Sequence, residues 1–165
     1  MLPLRPLQAD GAGYGQLCTQ YFVRTPQQEL PPWEVITFNY GLHDGGDTNE
    51  SYRANMESIA DQLLATAKLV GPKPARLIYF QTTIPGGANS VPGEPVSPGD
   101  KQVQELNAIA LEIMTAREIT TVDLYETMSK CGKTCSGCKP HCDAEGYQYL
   151  VDNAIAPAIR KALAE

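Results

Sequence analysis

The stretch Val35-Ile-Thr-Phe-Asn-Tyr-Gly-Leu-His-Asp44 decides the fold. It opens with four apolar, aromatic or β-branched residues, as a buried strand does, and continues into a polar segment with a glycine, as a turn does. Similar apolar runs occur at Leu77 to Gln81 and at Ile119 to Leu124. Each of these two runs begins 42 positions after the start of the run before it. The even spacing leaves room for one helix between successive strands, which predicts right-handed crossovers between parallel strands.

Helical periodicity fills the two intervals and the end of the chain. The apolar positions that repeat at the helical period are Met56, Ile59, Leu63, Ala67 and Val70 in the first interval, Val103, Leu106, Ala110 and Ile113 in the second, and Tyr147, Leu150, Val151, Ala154, Ala158 and Ile159 at the end. Pro157 is predicted to kink or end the last helix because it lacks a backbone donor. The predicted fold class is α/β, a three-layer α/β/α sandwich with a parallel sheet.

The length, charge and apolar content of the chain limit the classes of function that it can have. The chain has 165 residues, which predicts a single domain over residues 1–165. Thirteen Lys and Arg against nineteen Asp and Glu give a net charge of −6, which argues against nucleic acid as a partner. No apolar run approaches the roughly 18 residues that span a bilayer, and the start at Met1 lacks the apolar core of an export signal. We therefore expect a soluble chain with a small-molecule partner and no membrane span.

Polar residues follow the first strand at Asn39, Gly41, His43 and Asp44. In open parallel sheets the functional residues collect beyond the carboxyl ends of the strands. Asn and His side chains can donate hydrogen bonds to a developing oxyanion, and a glycine lets the backbone approach a ligand. The alternative is a turn whose side chains only satisfy their own backbone.

The segment from Ile84 to Gly99 contains four prolines and four glycines without periodicity, which predicts a long loop. We expect it to form one rim of a binding cleft, with a solvated spacer as the alternative.

His141 stands directly before the last helix, for which Asp143 is a natural N-cap. The positive end of a helix dipole disfavours a charged imidazole and keeps it available as a neutral base. A histidine that only packs or caps is the competing interpretation.

Two of these segments carry a family resemblance. His141-Cys-Asp-Ala-Glu-Gly-Tyr147 resembles the last signature block of the SGNH (GDSL-like) hydrolases, and Gly41-Leu-His-Asp44 resembles their third block, Gly-x-Asn-Asp. Asp10-Gly-Ala-Gly13 is similar to the second block. The order and spacing of the blocks agree over roughly residues 9 to 163. The resemblance implies a flavodoxin-like fold and a serine esterase that acts on carbohydrate or lipid esters without a metal or another cofactor.

The resemblance also implies roles for single residues. His141 would be the catalytic general base, and Gly11 with Asn39 or His43 would supply the oxyanion hole. Gly41 and Asp44 would contact the substrate.

Two departures from the family pattern are plain. No Gly-Asp-Ser precedes Asp10, and the family's orienting Asp, three residues before the histidine, is replaced by Cys138. Asp44 and Asp143 are possible substitutes for that orienting residue. The missing serine leaves three explanations open: an N-terminally incomplete domain without its first strand, a degenerate relative, or another nucleophile such as Ser90, Ser97 or Ser136.

Four of the five cysteines lie within twelve residues, at Cys131, Cys135, Cys138 and Cys142. This density predicts disulfides, which would brace the segment that carries His141, while a metal site or free thiols are the alternatives. Disulfides would place the protein in a secreted or lumenal compartment, and they would leave Cys18 unpaired.

Two functional hypotheses follow. The first is an SGNH-type esterase. The second is a non-catalytic module that binds a polar ligand in the retained cleft or a partner chain at an exposed sheet edge.

Overall fold

The computed structural model describes residues 11–23, 33–68, 73–83, 98–131 and 142–165. The strands and helices within these ranges are, in chain order, α1 Ala12–Val23, β1 Val35–Phe38, α2 Asn49–Ala67, β2 Arg76–Phe80, α3 Pro98–Ala116, β3 Thr120–Val122, α4 Leu124–Ser129, α5 Ala144–Leu150 and α6 Ala156–Ala164. A π-helical turn, Val151–Ile155, joins α5 to α6. No helix in the described part of the chain is both long and apolar enough to cross a bilayer.

The three strands form one parallel sheet in the order β1-β2-β3. In its register Val35 pairs with Arg76 and Ile78 pairs with Thr120. The predicted parallel pairing is therefore confirmed. The third strand is shorter than predicted because Asp123 leaves the sheet to cap α4, accepting a hydrogen bond from the amide of Glu126.

Alternate residues of β2 face two separate hydrophobic clusters. Leu77 and Tyr79 belong to a cluster shared with α1, α2 and α3. Ile78 and Phe80 belong to a second cluster, shared with α4, α5 and α6. A strand whose two faces are both covered by helices lies in the middle layer of a sandwich. The three-layer α/β/α prediction is confirmed.

The sequence patterns gave no indication of α1. It contains Gly13 and Gly15 and has no clear apolar stripe, so its intrinsic preference for a helix is weak. Contacts with the neighbouring helix hold it instead: Ala12 and Thr19 are buried, and the side-chain amide of Gln62 donates to the carbonyl oxygen of Gln16 at 2.8 Å.

Pro157 neither ends nor breaks the last helix. It lies within the first turn of α6, directly after the π-helical turn. A π-turn shifts the hydrogen-bonding pattern by one residue, which allows a proline ring to follow without losing the helical direction. The helix therefore continues past Pro157, while its regular α-helical pattern is interrupted by the π-helical turn directly before this proline, in line with the predicted end of the regular part.

The C-terminal cap of α3 contains a residue, Glu118, with an unfavourable backbone conformation. Glu118 has φ 55°, while the amide of Ile119 donates to the carbonyl of Met114 at 2.9 Å and the amide of Glu118 donates to the carbonyl of Thr115 at 3.2 Å. These two bonds define a Schellman motif, whose left-handed position is usually glycine. Glu118 is exposed, so no tertiary contact of its side chain requires it there.

We expect Glu118→Gly to raise the free energy of unfolding by about 1 kcal/mol, because a side chain with Cβ pays that much in the left-handed region. Urea denaturation measures the change. Glu118→Ala keeps the Cβ and is the matched control, which we expect to lie within about 0.5 kcal/mol of the wild type. Equal stability of the glycine and alanine variants would contradict the assignment of strain to this position.

Candidate functional site

The carboxyl ends of the three strands meet at one edge of the sheet. The side-chain amide of Asn39, just after β1, donates to the carbonyl of Phe80 at 2.5 Å. The backbone amide of Gln81, just after β2, donates to the carbonyl of Val122 at 3.0 Å. The residues that follow β1 and β2 are therefore held together at the edge where parallel sheets place their ligands.

Hydrogen bonds to one of its backbone carbonyls hold the turn from Asn39 to Asp44 in place. The oxygen of Tyr40 accepts hydrogen bonds from the hydroxyls of Tyr79 at 2.8 Å, Thr82 at 3.0 Å and Tyr52 at 3.2 Å. Both tyrosines are fully buried, and burial raises the pKa of each well above its usual range. They therefore remain neutral hydrogen-bond donors at any working pH.

Gly41 occupies a conformation that requires glycine. Its φ is +135°, and a Cβ at this position would lie 2.6 Å from the side-chain oxygen of Thr82. The left-handed side of φ is open to glycine at no steric cost. The turn is thus defined by backbone geometry as well as by side-chain contacts.

Asp44 connects the turn to the start of α1. Its carboxyl oxygen Oδ1 accepts from the amide of Ala12 at 2.6 Å, and the side chain is buried, with 2% of the residue exposed. A Cβ added to Gly11 would lie 3.0 Å from the same oxygen. Gly11 and the turn, which are far apart in the sequence, are therefore neighbours in the structure.

The environment of Asp44 is less polar than that of a surface carboxyl. Burial raises its pKa above the usual range for aspartate, while the backbone amides of Ala12 and Gly41 oppose that rise. The second oxygen, Oδ2, is buried and accepts no hydrogen bond from the described residues. Asp44 thus faces the protein interior and holds backbone groups, and its contact with a substrate remains a prediction.

The other two proposed oxyanion donors lie at the surface. Asn39 and His43 are both exposed, and Asn39 already uses a side-chain N–H on the carbonyl of Phe80. His43 is close enough to Asp44 to favour the ionised carboxylate. The turn therefore has two polar side chains at the surface, while its backbone and Asp44 form hydrogen bonds in the interior.

His141 lies outside the described residues, so its predicted role as the base remains a prediction. The segment that follows it is described. Asp143 caps α5 by accepting from the amide of Gly146 at 2.8 Å, as predicted. Cys142 is buried in the same hydrophobic cluster as Phe80. Because the carbonyl of Phe80 also accepts the hydrogen bond from Asn39, one residue of β2 is shared by the turn and by the cluster that contains Cys142.

The cysteine segment is described at its two ends only. Cys142 is buried in the cluster that contains Leu124, and Cys131 packs against the same cluster. Cys135 and Cys138 lie outside the described residues, so the arrangement of two bridges remains a prediction. Cys18 is a free thiol.

Two polar groups at the carboxyl edge were missed by the sequence patterns. Asn107 forms a pair of hydrogen bonds with the backbone of Thr82, accepting from its amide and donating to its carbonyl, both at 2.9 Å. The signal for this contact was available, because Asn107 follows Leu106 on the apolar stripe of a helix, where an amide needs a buried partner.

The second polar group is the hydroxyl of Tyr125, which connects α4 to α3 by hydrogen bonds. The hydroxyl of Tyr125 donates to Asp100 at 2.6 Å, and the side-chain amide of Gln104 donates to the same hydroxyl at 2.8 Å. Burial, together with the hydrogen bond to Asp100, raises the pKa of Tyr125 to about 12. No sequence pattern indicates this contact, because it depends on how two helices approach each other.

Comparison with solved structures identifies the fold. The chain superposes on the crystal structure of the lipase/acylhydrolase from Enterococcus faecalis with a TM-score of 0.60, over 94% of this chain and 72% of that one, at 18% identity. The two proteins share a fold. No protein-family model and no curated protein sequence matches the chain. The likeness therefore supports the three-layer α/β/α architecture, and function has to be argued from the site.

Proposed function

We propose that this protein is an acyl-ester hydrolase of the SGNH type, with a small carbohydrate or lipid ester as its substrate class. One observation carries the proposal. Gly11 and the Gly41–Asp44 turn, which resemble the second and third signature blocks, lie side by side at the carboxyl edge of the sheet. In an acyl transfer the developing oxyanion needs backbone and side-chain donors that converge from separate segments.

The proposed role of each residue follows from this arrangement. Gly11 supplies a backbone donor, while Asn39 and His43 supply side-chain donors from the exposed rim of the turn. His141 is the proposed general base, and it precedes the capped helix α5 in the sequence. No Gly-Asp-Ser occurs in the sequence, so the proposal assigns no residue of this chain as the nucleophile.

The experiment is hydrolysis of p-nitrophenyl acetate by the purified chain and by His141→Ala. We expect the substitution to reduce hydrolysis to the rate in buffer, because no other residue of this chain is proposed as the general base. Gln148→Ala is the control, because Gln148 is exposed on α5 and bonds only to Asp152 among the described contacts. We expect that control to retain wild-type activity.

Equal rates for the wild type and His141→Ala would reject His141 as the base. A wild type whose rate equals that of the buffer would reject the esterase proposal for this chain and favour the second candidate, a binding module. A specific feature supports that candidate: an apolar groove of about 150 Å³ runs along β1, lined by Thr19 and Val23 of α1, by Ile36, Thr37, Phe38 and Tyr40, and by Ile59 and Leu63 of α2.

A further inference from the structure

We infer that the hydroxyls of Thr82, Tyr79 and Tyr52, here called the hydroxyl triad, are positioning groups that set the direction of the peptide bond between Tyr40 and Gly41. The inference rests on the proposed function, because the turn that they orient is the one assigned to oxyanion binding. It adds three residues that neither the motifs nor the fold comparison singles out.

The first step is the number of donors on one acceptor. A carbonyl oxygen has two lone pairs, and the oxygen of Tyr40 receives three hydroxyl donors at 2.8, 3.0 and 3.2 Å. Tyr79, Tyr52 and Thr82 are all buried, so solvent does not compete for their hydroxyls. The hydroxyls of Tyr52 and Tyr79 also lie 3.4 Å apart and can share one hydrogen bond with each other. Rotation of the Tyr40 carbonyl would still leave the Thr82 hydroxyl and one tyrosine hydroxyl without an acceptor among the described contacts, so the carbonyl has little freedom to rotate.

The second step is the geometry of the peptide group. The described chain contains no cis peptide bond, so the carbonyl of Tyr40 and the N–H of Gly41 point in opposite directions. Drawing the carbonyl toward the hydroxyl triad therefore turns the N–H of Gly41 away from the triad. This N–H is one of the two backbone amides that favour the ionised form of Asp44, the other being that of Ala12.

The third step links the triad to α1. Asp44 accepts from Ala12 at 2.6 Å, and Gly11 packs against the same carboxyl. The connected path runs from the triad through the Tyr40–Gly41 peptide group and Asp44 to the first residues of α1. Loss of one hydroxyl should therefore displace the Gly11 segment relative to the turn, although no residue of the triad contacts the proposed reaction centre.

The competing explanation is that the three hydroxyls only satisfy one another and the carbonyl inside the core. Under that explanation a variant loses stability but the surviving folded molecules react normally. A positioning role predicts instead a lower kcat at an unchanged KM in the folded protein, because orientation is needed in the transition state more than in substrate binding.

Thr82→Val tests the inference, since valine has the shape of threonine without the hydroxyl. Thr82→Ser restores the donor. The matched control is Thr121→Val: Thr121 pairs with Tyr79 in the sheet register, and its hydroxyl is buried without a hydrogen-bond partner among the described residues. All variants are compared at a temperature where circular dichroism shows them folded.

With p-nitrophenyl acetate we expect Thr82→Val to lower kcat by roughly tenfold or more, given that a misplacement of about 1 Å can cost on the order of 100-fold. KM should stay within about twofold of the wild type, and Thr82→Ser should recover most of the rate. Hydrogen exchange measured by NMR should be faster at the amides of Gly41 and Ala12 in Thr82→Val. Thr121→Val should change neither quantity.

Unchanged kcat in folded Thr82→Val would overturn the inference, whatever the exchange rates. If the wild type has no esterase activity, the proposed function fails, and amide exchange alone decides the structural part. In that case faster exchange at Gly41 and Ala12 in Thr82→Val, but not in Thr121→Val, supports orientation of the peptide group by the triad. Equal exchange in the two variants rejects it.

Discussion

Replacing Gly41 with alanine is expected to lower the free energy of unfolding by about 2–6 kcal/mol. Two costs add. A non-glycine residue at φ +135° is held in a sparsely populated region, which costs about 1–3 kcal/mol. Its Cβ would also lie 2.6 Å from the Thr82 oxygen, so either the threonine or the turn has to move, and overpacking of this kind costs about 1–3 kcal/mol.

Urea denaturation followed by circular dichroism measures the loss. Gly46→Ala is the matched control, because Gly46 is only five residues away in the same polar segment and a Cβ there meets no atom within 4 Å. We expect the control to stay within about 0.5 kcal/mol of the wild type. A Gly41→Ala variant as stable as Gly46→Ala would show that the turn relaxes freely, and the anchored geometry of the site would then be wrong.

The sequence predicted the parts of the fold that local patterns encode. Runs of apolar and β-branched residues located the three strands of the described residues, and the even spacing between them predicted the parallel pairing that the sheet shows. Val35–Phe38 was placed with the observed bounds, while β2 begins one residue earlier than predicted and β3 is shorter. Element boundaries shift where a cap such as Asp123 competes with the sheet for the same backbone.

Other parts depend on contacts between distant segments, and no local pattern contains them. Helix α1 has two glycines and is stabilised by its packing on α2. The sequence patterns singled out Gly41 and Asp44 in the turn. They did not indicate the three hydroxyls that bind the neighbouring carbonyl of Tyr40, because those hydroxyls come from α2, from β2 and from the segment after β2. A motif thus locates a turn in the sequence, while the long-range hydrogen bonds give that turn its shape.

Asn107 is the second position where we expect a large effect. Asn107→Ala should lower the free energy of unfolding by about 2–4 kcal/mol, since it leaves both the amide and the carbonyl of Thr82 unpaired in a buried environment. Asn107 is 5% exposed, so water cannot replace the lost partner without entering the core. Asn153→Ala is the control, because Asn153 is exposed on the π-helical turn and bonds only to the carbonyl of Tyr149.

Asn107→Asp separates the two hydrogen bonds by pH. An ionised aspartate can accept from the Thr82 amide but cannot donate to the Thr82 carbonyl, whereas a protonated one can do both. Burial beside a carbonyl raises the pKa of that carboxyl in the folded state, so its stabilising form is present at low pH and is lost as pH rises. We therefore expect this variant to lose stability, relative to the wild type, between about pH 4 and pH 7. A constant difference across that range would mean that the donor bond to the Thr82 carbonyl contributes nothing, and the carboxyl end of β2 would then be held by the Thr82 amide bond alone.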